Sequence, residues 1–255
     1  MHQEEASVLV WPKNLAIRVS EMRKIYHRIK SKYAETAERR SRKRSFINTY
    51  DAILVSYGGS GTTFILKYLA KYYDVNSWDS HNDGIKHANS PNHPIFDGLD
   101  IRKAVYIYSD PIQAVLSLFR RDFQSHMSKK LLDSTYADVT QYNRRTKLSG
   151  PSFTLDNMLD DGTDYFGINA HWAHWTNKPV QFPTLFIRFE NFYQNIEDFF
   201  DFLDLDQNQR DAFPPRRERK SSISQHDVAV RRALEEIYGE TLADMNTRSP
   251  TFIRS

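Results

Sequence analysis

The sequence predicts an α/β protein, a three-layer sandwich with a central, mainly parallel sheet and helices on both faces. Three observations predict it. Short apolar runs recur at "DAILVSY" (51–57), "KAVYIYS" (103–109) and "TLFIRFE" (184–190), each rich in β-branched or aromatic residues and too short for a helix. A helical pattern follows each run, and strands that alternate with helices build βαβ units around a parallel sheet. The turn after the first run is rich in glycine, "GGSGTT", and it lies where open α/β sheets bind ligands, at the carboxyl end of a strand.

The helices follow in order. After the first strand the pattern predicts a helix over Thr62 to Tyr73. After the second, Ile112, Val115, Leu116, Phe119 and Phe123 repeat at helical spacing, with Pro111 placed to open the helix. After the third, Phe192, Ile196, Phe199, Phe200 and Leu203 do the same. Two more helices are expected, at "GINAHWAHWTNK" and from Val228 to Met245, the latter with Leu234, Ile237, Tyr238, Leu242 and Met245 inside. The stretches Gln124 to Gly150 and Leu205 to Ser224 are polar and read as irregular, the first as a segment that is mobile or covers a site.

Composition bounds the answer. A chain of 255 residues, 40% hydrophobic and 13% aromatic, has enough apolar matter for one substantial domain. We divide it into a basic helical segment, 1–48, and an α/β domain, 49–255. The net charge is only +3, but most of the excess lies between Arg18 and Arg44. That segment reads either as a patch for an anionic surface or as a solvated helix docking Leu15, Val19, Met22, Tyr26 and Ile29. Glu21, Glu35 and Glu38 interrupt the charge and no nucleic-acid motif accompanies it, which favours the second reading, so nucleic acid is not an expected partner. No cysteine occurs, which excludes disulfides, zinc-thiolate sites and a cysteine nucleophile. The acidic start and the lack of a long apolar run predict a cytoplasmic protein without a transmembrane segment.

The glycine turn carries the first functional signal. Amides of Gly58, Gly59, Ser60 and Gly61 can converge on an anion, with the hydroxyls of Thr62 and Thr63 at the positive end of the next helix. The plainer alternative is a tight strand-to-helix turn. A nucleotide-triphosphate loop would carry G-x-x-x-x-G-K-[ST], and this one has no such lysine. His81, His87 and His93, with Asp79 and Asp83, lack a spacing that puts ligands on one helical face, so no metal is expected. His171, Trp172, His174 and Trp175 suit either an acceptor pocket, whose ring faces would stack on a sugar or aromatic ring, or a packed helix.

Read together, these motifs resemble the sulfotransferases that use 3'-phosphoadenosine 5'-phosphosulfate (PAPS). The family's first motif, P-K-S-G-T-T-W, is similar to Gly58 to Phe64, with the family's lysine falling on Gly59. Its second motif, Arg-Asp/Asn-Pro followed by a serine on a helix, resembles "YSDPIQAVLS", with Ser109 in place of the arginine, Asp110-Pro111 matching and Ser117 at the serine position. "GINAHWAHW" resembles the acceptor-side helix, "LFIRFENF" the last core strand ending at Glu190, and "RRERKSSIS" the basic loop that closes over the nucleotide.

The resemblance implies a P-loop-type sulfotransferase fold, PAPS as donor without a required metal, and a small-molecule or carbohydrate hydroxyl as acceptor. It implies that residues 58–63 hold the 5'-phosphosulfate and that Ser117 holds the 3'-phosphate. Arg121, one helical turn on, would restore charge lost at Ser109. Arg216, Arg217, Arg219 and Lys220 would close over the nucleotide. Lys86 and His87 lie where the cytosolic enzymes carry lysine-threonine-histidine, which makes His87 the candidate base, with Asp83 as the alternative. Two other readings stay open: a small-molecule kinase of similar fold, and a catalytically silent nucleotide-binding relative, since two cationic positions have changed.

Overall fold

A computed structural model describes residues 49–76, 84–133, 153–216 and 227–255. The basic segment 1–48 and the residues Asp83, Arg217, Arg219 and Lys220 lie outside the described residues. The described part is mixed α/β with a mainly parallel sheet. Its strands are β1 (Thr49–Tyr50), β2 (Ile53–Val55), β3 (Asp100–Ile101), β4 (Ala104–Tyr108), β5 (Thr184–Arg188) and β6 (Thr251–Arg254). The main sheet runs β2-β4-β5-β6, parallel across the first three and antiparallel at β6, and β1 pairs with β3 in a separate parallel ribbon.

The three apolar runs thus become the three parallel strands, and they are buried on both faces, as a parallel sheet requires. Side chains alternate along each strand. Ile53, Val55, Tyr57, Tyr106, Tyr108 and Phe186 point into one apolar cluster, while Leu54, Val105, Ile107, Leu185 and Ile187 point into the other. The second cluster is closed by α1 (Thr62–Leu69), through Ile65, Leu66 and Leu69, and by α6 (Ile196–Phe202), through Phe199 and Phe200. The first is closed by α2 (Pro111–Arg120), α5 (Ile168–Asn177) and α8 (Val228–Thr247). Val115 and Leu118, Trp172 and Trp175, and Leu234, Tyr238 and Met245 are the inward faces.

Local chemistry sets the boundaries. Asp110 caps α2, its Oδ1 accepting from the amides of Ile112 (2.8 Å) and Gln113 (3.1 Å), and Pro111 opens the helix with φ already suited to it. The helix stops at Arg120 because Asp122 turns left-handed, with φ 53°, and this leaves Phe123 exposed rather than on the apolar stripe. Asn76 covers the open side of β2 by imitating a strand: its side chain accepts from the Leu54 amide at 2.8 Å and donates to the Leu54 carbonyl at 3.0 Å.

Three helices depart from the sequence expectation. Part of the stretch read as irregular is a helix, α3 (Gln124–Asp133), whose buried Met127 and Leu131 pack into the first cluster; residues 134–150 lie outside the described part. Between them and α5, α4 (Leu155–Asp161) is started by a reciprocal cap between Thr154 and Asn157. A short helix, α7 (Gln207–Asp211), interrupts the second polar stretch behind an Asp206–Gln209 capping box. Among the described residues no helix is long and apolar enough to cross a membrane.

Candidate functional site

The carboxyl ends of β2, β4 and β5 meet around the glycine turn. Beyond Val55 the chain stays buried through Ser56 and Tyr57 before it reaches Gly58. Gly58, Gly59 and Gly61 all take positive φ, 92°, 72° and 70°, a region L side chains rarely enter. Close packing adds a second reason for glycine. A Cβ on Gly59 would stand 2.9 Å from both Cα and Cβ of Ala114 on α2, and one on Gly61 would overlap the Phe189 ring. The turn then enters α1 with no side chain capping it, and the Phe64 amide donates back to the Gly61 carbonyl at 3.3 Å.

The loop hydroxyls divide between inside and outside. Ser60 is fully buried and donates to the Ile107 carbonyl at 3.2 Å, which anchors the loop to β4. Thr62 is buried with its Oγ1 3.4 Å from Ser56 Oγ, and Ser56 Oγ accepts from the Gly58 amide at 3.2 Å. Thr63 is the exposed hydroxyl.

His87 joins the loop at its root. It belongs to a short 3₁₀ turn, Ile85–His87, that lies beside β2, where the Ser56 amide donates to the Lys86 carbonyl at 2.8 Å. The His87 Nδ1 stands 2.8 Å from the Ser56 carbonyl oxygen. A carbonyl oxygen only accepts, so Nδ1 carries the hydrogen and, in the neutral ring, Nε2 carries the lone pair. Lys86 is buried on the same turn, whereas Lys67, on the last turn of α1, is exposed.

Helix α2 carries Ser117. Ala114, which touches the loop, and Ser117 are three residues apart and therefore share a face of the helix. Ser117 is mostly buried, and Arg121, at its end, is exposed and reaches back with Nε to the Ser117 carbonyl at 2.9 Å. Glu190, after β5, accepts from the Asp110 amide at 3.2 Å and faces Arg188 at 3.5 Å, tying β5 to the start of α2.

Ser109 and His171 lie against Tyr57, just before the loop. Ser109 is fully buried, its Oγ without a hydrogen-bond partner among the described residues. Trp172 and Trp175 are core residues rather than pocket walls, because each is buried and its indole N–H is satisfied, by Asp244 Oδ2 at 2.6 Å and the Ala88 carbonyl at 2.8 Å. His171 is fully buried, with Nδ1 2.8 Å from the Tyr106 hydroxyl, and burial, with His87 nearby, lowers its pKa to about 3. His174 is half-buried against the Asn89 carbonyl, 3.2 Å away. Arg216 is exposed at the edge of the described residues.

Tyr57 also belongs to the root of the loop, although no motif in the sequence marks it. Its hydroxyl accepts from the Ser109 amide at 2.8 Å and donates to the Ser109 carbonyl, and its ring meets that of His171 edge-on, centroids 5.9 Å apart. Its position directly before the glycines was the available signal. Among the described residues no group of three or more His, Asp or Glu is arranged to hold a metal ion. Compared with known proteins, the chain matches no family model, no curated protein and no solved structure.

Proposed function

We propose that this chain binds PAPS and transfers its sulfuryl group to a hydroxyl of a small-molecule or carbohydrate acceptor, on a sulfotransferase-type variant of the P-loop α/β fold. The observation that carries the reading is the seating of His87 at the root of the glycine loop, its Nδ1 donating to the Ser56 carbonyl, two residues before the first glycine. The amides at the start of α1 and the hydroxyl of Thr63 suit the 5'-phosphosulfate, and the Ser117 face of α2 suits the 3'-phosphate. The donor, when bound, supplies the sulfuryl group. The acceptor hydroxyl gives its proton to His87 as its oxygen bonds to sulfur, and the sulfur-oxygen bond to the 5'-phosphate breaks with the electron pair leaving on the nucleotide.

Lys86, buried on the same short turn as His87, is the residue this reading sets in the role of the lysine that the loop lacks. One observation favours a second reading, a nucleotide-binding relative without transfer activity: Gly59 is packed against Ala114 and Ser109 is buried, so neither familiar cation position presents a charge.

A thermal shift separates these readings from a kinase. Adenosine 3',5'-bisphosphate without metal should stabilise the chain, by about 2.7 kcal/mol at a hundredfold excess over the dissociation constant. Stabilisation only by ATP with magnesium would replace the proposal with a kinase. Stabilisation by the bisphosphate without consumption of PAPS across an acceptor panel would favour the silent relative.

A further inference from the structure

Two phosphates on one ligand demand a fixed distance between the groups that receive them. In this chain the glycine loop hangs from β2 and the Ser117 face belongs to α2, so the spacing depends on how β2 and the start of α2 are joined. The direct joint is Tyr57. It is the last residue before Gly58, it is fully buried, and its hydroxyl holds both main-chain groups of Ser109, the residue immediately before the Asp110 cap of α2. Neither bond depends on the Ser109 side chain. The ring itself is held from behind by His171, whose plane stands at 83° to it and whose Nδ1 is tied to the Tyr106 hydroxyl of β4. The second contact between the two halves, Gly59 on Ala114, has no slack for a methyl group.

We propose that Tyr57 is a positioning residue that sets the separation between the glycine loop and α2, and so selects ligands whose two phosphates match that separation. This rests on the reading above, in which the loop and the Ser117 face receive the two phosphates. Tyr57 touches no ligand; it acts through Ser109 and the end of β2. A residue that merely stabilised the domain would weaken one-phosphate and two-phosphate ligands alike, whereas a spacer affects only the ligand that spans both sites.

The test uses the full chain and Tyr57→Phe, titrated with adenosine 3',5'-bisphosphate and with adenosine 5'-monophosphate. The variant should raise the dissociation constant of the bisphosphate at least tenfold and that of the monophosphate less than twofold. Tyr108→Phe, which removes a neighbouring hydroxyl bonded to the Ser249 carbonyl at 3.3 Å instead, should leave the ratio unchanged. Ala114→Val, which crowds the same joint from the α2 side, should repeat the selective loss and keeps the question decidable if Tyr57→Phe does not fold. Equal loss for both ligands, or no loss, overturns the proposal. Amide exchange decides it independently of any nucleotide: Tyr57→Phe should speed exchange at 58–63 and 109–114 together while β5 stays protected. If the wild type does not bind the bisphosphate, the sulfotransferase reading falls, and unchanged exchange in those two segments would remove the spacer as well.

Discussion

Ala114 closes the place where a lysine would stand at residue 59: a Cβ on Gly59 lies 2.9 Å from the Ala114 Cα and Cβ and 3.1 Å from its carbonyl oxygen. The loop sits directly against α2, with glycine at φ 72° as the condition for the approach.

A lysine placed at residue 59 should accordingly be costly and bring no gain. Gly59→Lys pays for a left-handed backbone and a backbone clash, so we expect a loss of at least about 1–2 kcal/mol in urea unfolding and no gain in nucleotide affinity. Unchanged stability with tighter binding would show that the loop has room to open.

His171 makes stability depend on pH. Its folded-state pKa, about 3, lies below the value of about 6.5 for an unfolded histidine, so between those values the unfolded chain binds the extra proton. The contribution is complete above pH 6.5 and is lost as pH falls, at about 1.4 kcal/mol per pH unit. Between pH 6.5 and 5, before carboxylates titrate, the unfolding free energy from urea titrations should fall with a slope that steepens toward that limit, and His171→Phe should flatten it by up to one proton. An identical slope in the variant would place the titration elsewhere.

His87→Ala should reduce transfer from PAPS by about 10²–10⁴-fold, the range for a general base, while bisphosphate affinity changes little. The side chain is buried, so the comparison requires a variant shown by thermal unfolding to be folded. Turnover close to that of the wild type would remove His87 from the chemistry.

Trp175 supports the core and not an acceptor. It packs on Tyr106, with ring centroids 5.3 Å apart, and on Phe96 at 6.3 Å. Trp175→Ala should cost about 3–5 kcal/mol in equilibrium unfolding. A change in acceptor affinity at unaltered stability would restore the pocket reading.

These residues also mark what the sequence made legible. The strands 53–55, 104–108 and 184–188 could be read because burial on both faces demands continuous apolar runs. Helix α3 was hidden because it is polar apart from a few inward positions such as Met127 and Leu131. The four-residue β6 was hidden because its strandedness comes from pairing with β5, not from its own pattern. At the site, the glycine loop and its neighbour His87 were visible as motifs. The Tyr57–Ser109 joint and the burial of Trp172 and Trp175 were not, since the spacing of aromatic residues along a helix is the same for a pocket wall and for a core.

Direct titration of the full chain with adenosine 3',5'-bisphosphate, in the presence and absence of magnesium, tests the central claim. We predict one binding site, unaffected by magnesium and weakened at least tenfold when the 3'-phosphate is removed. No binding of the bisphosphate, or binding of ATP with magnesium in its place, would contradict the account.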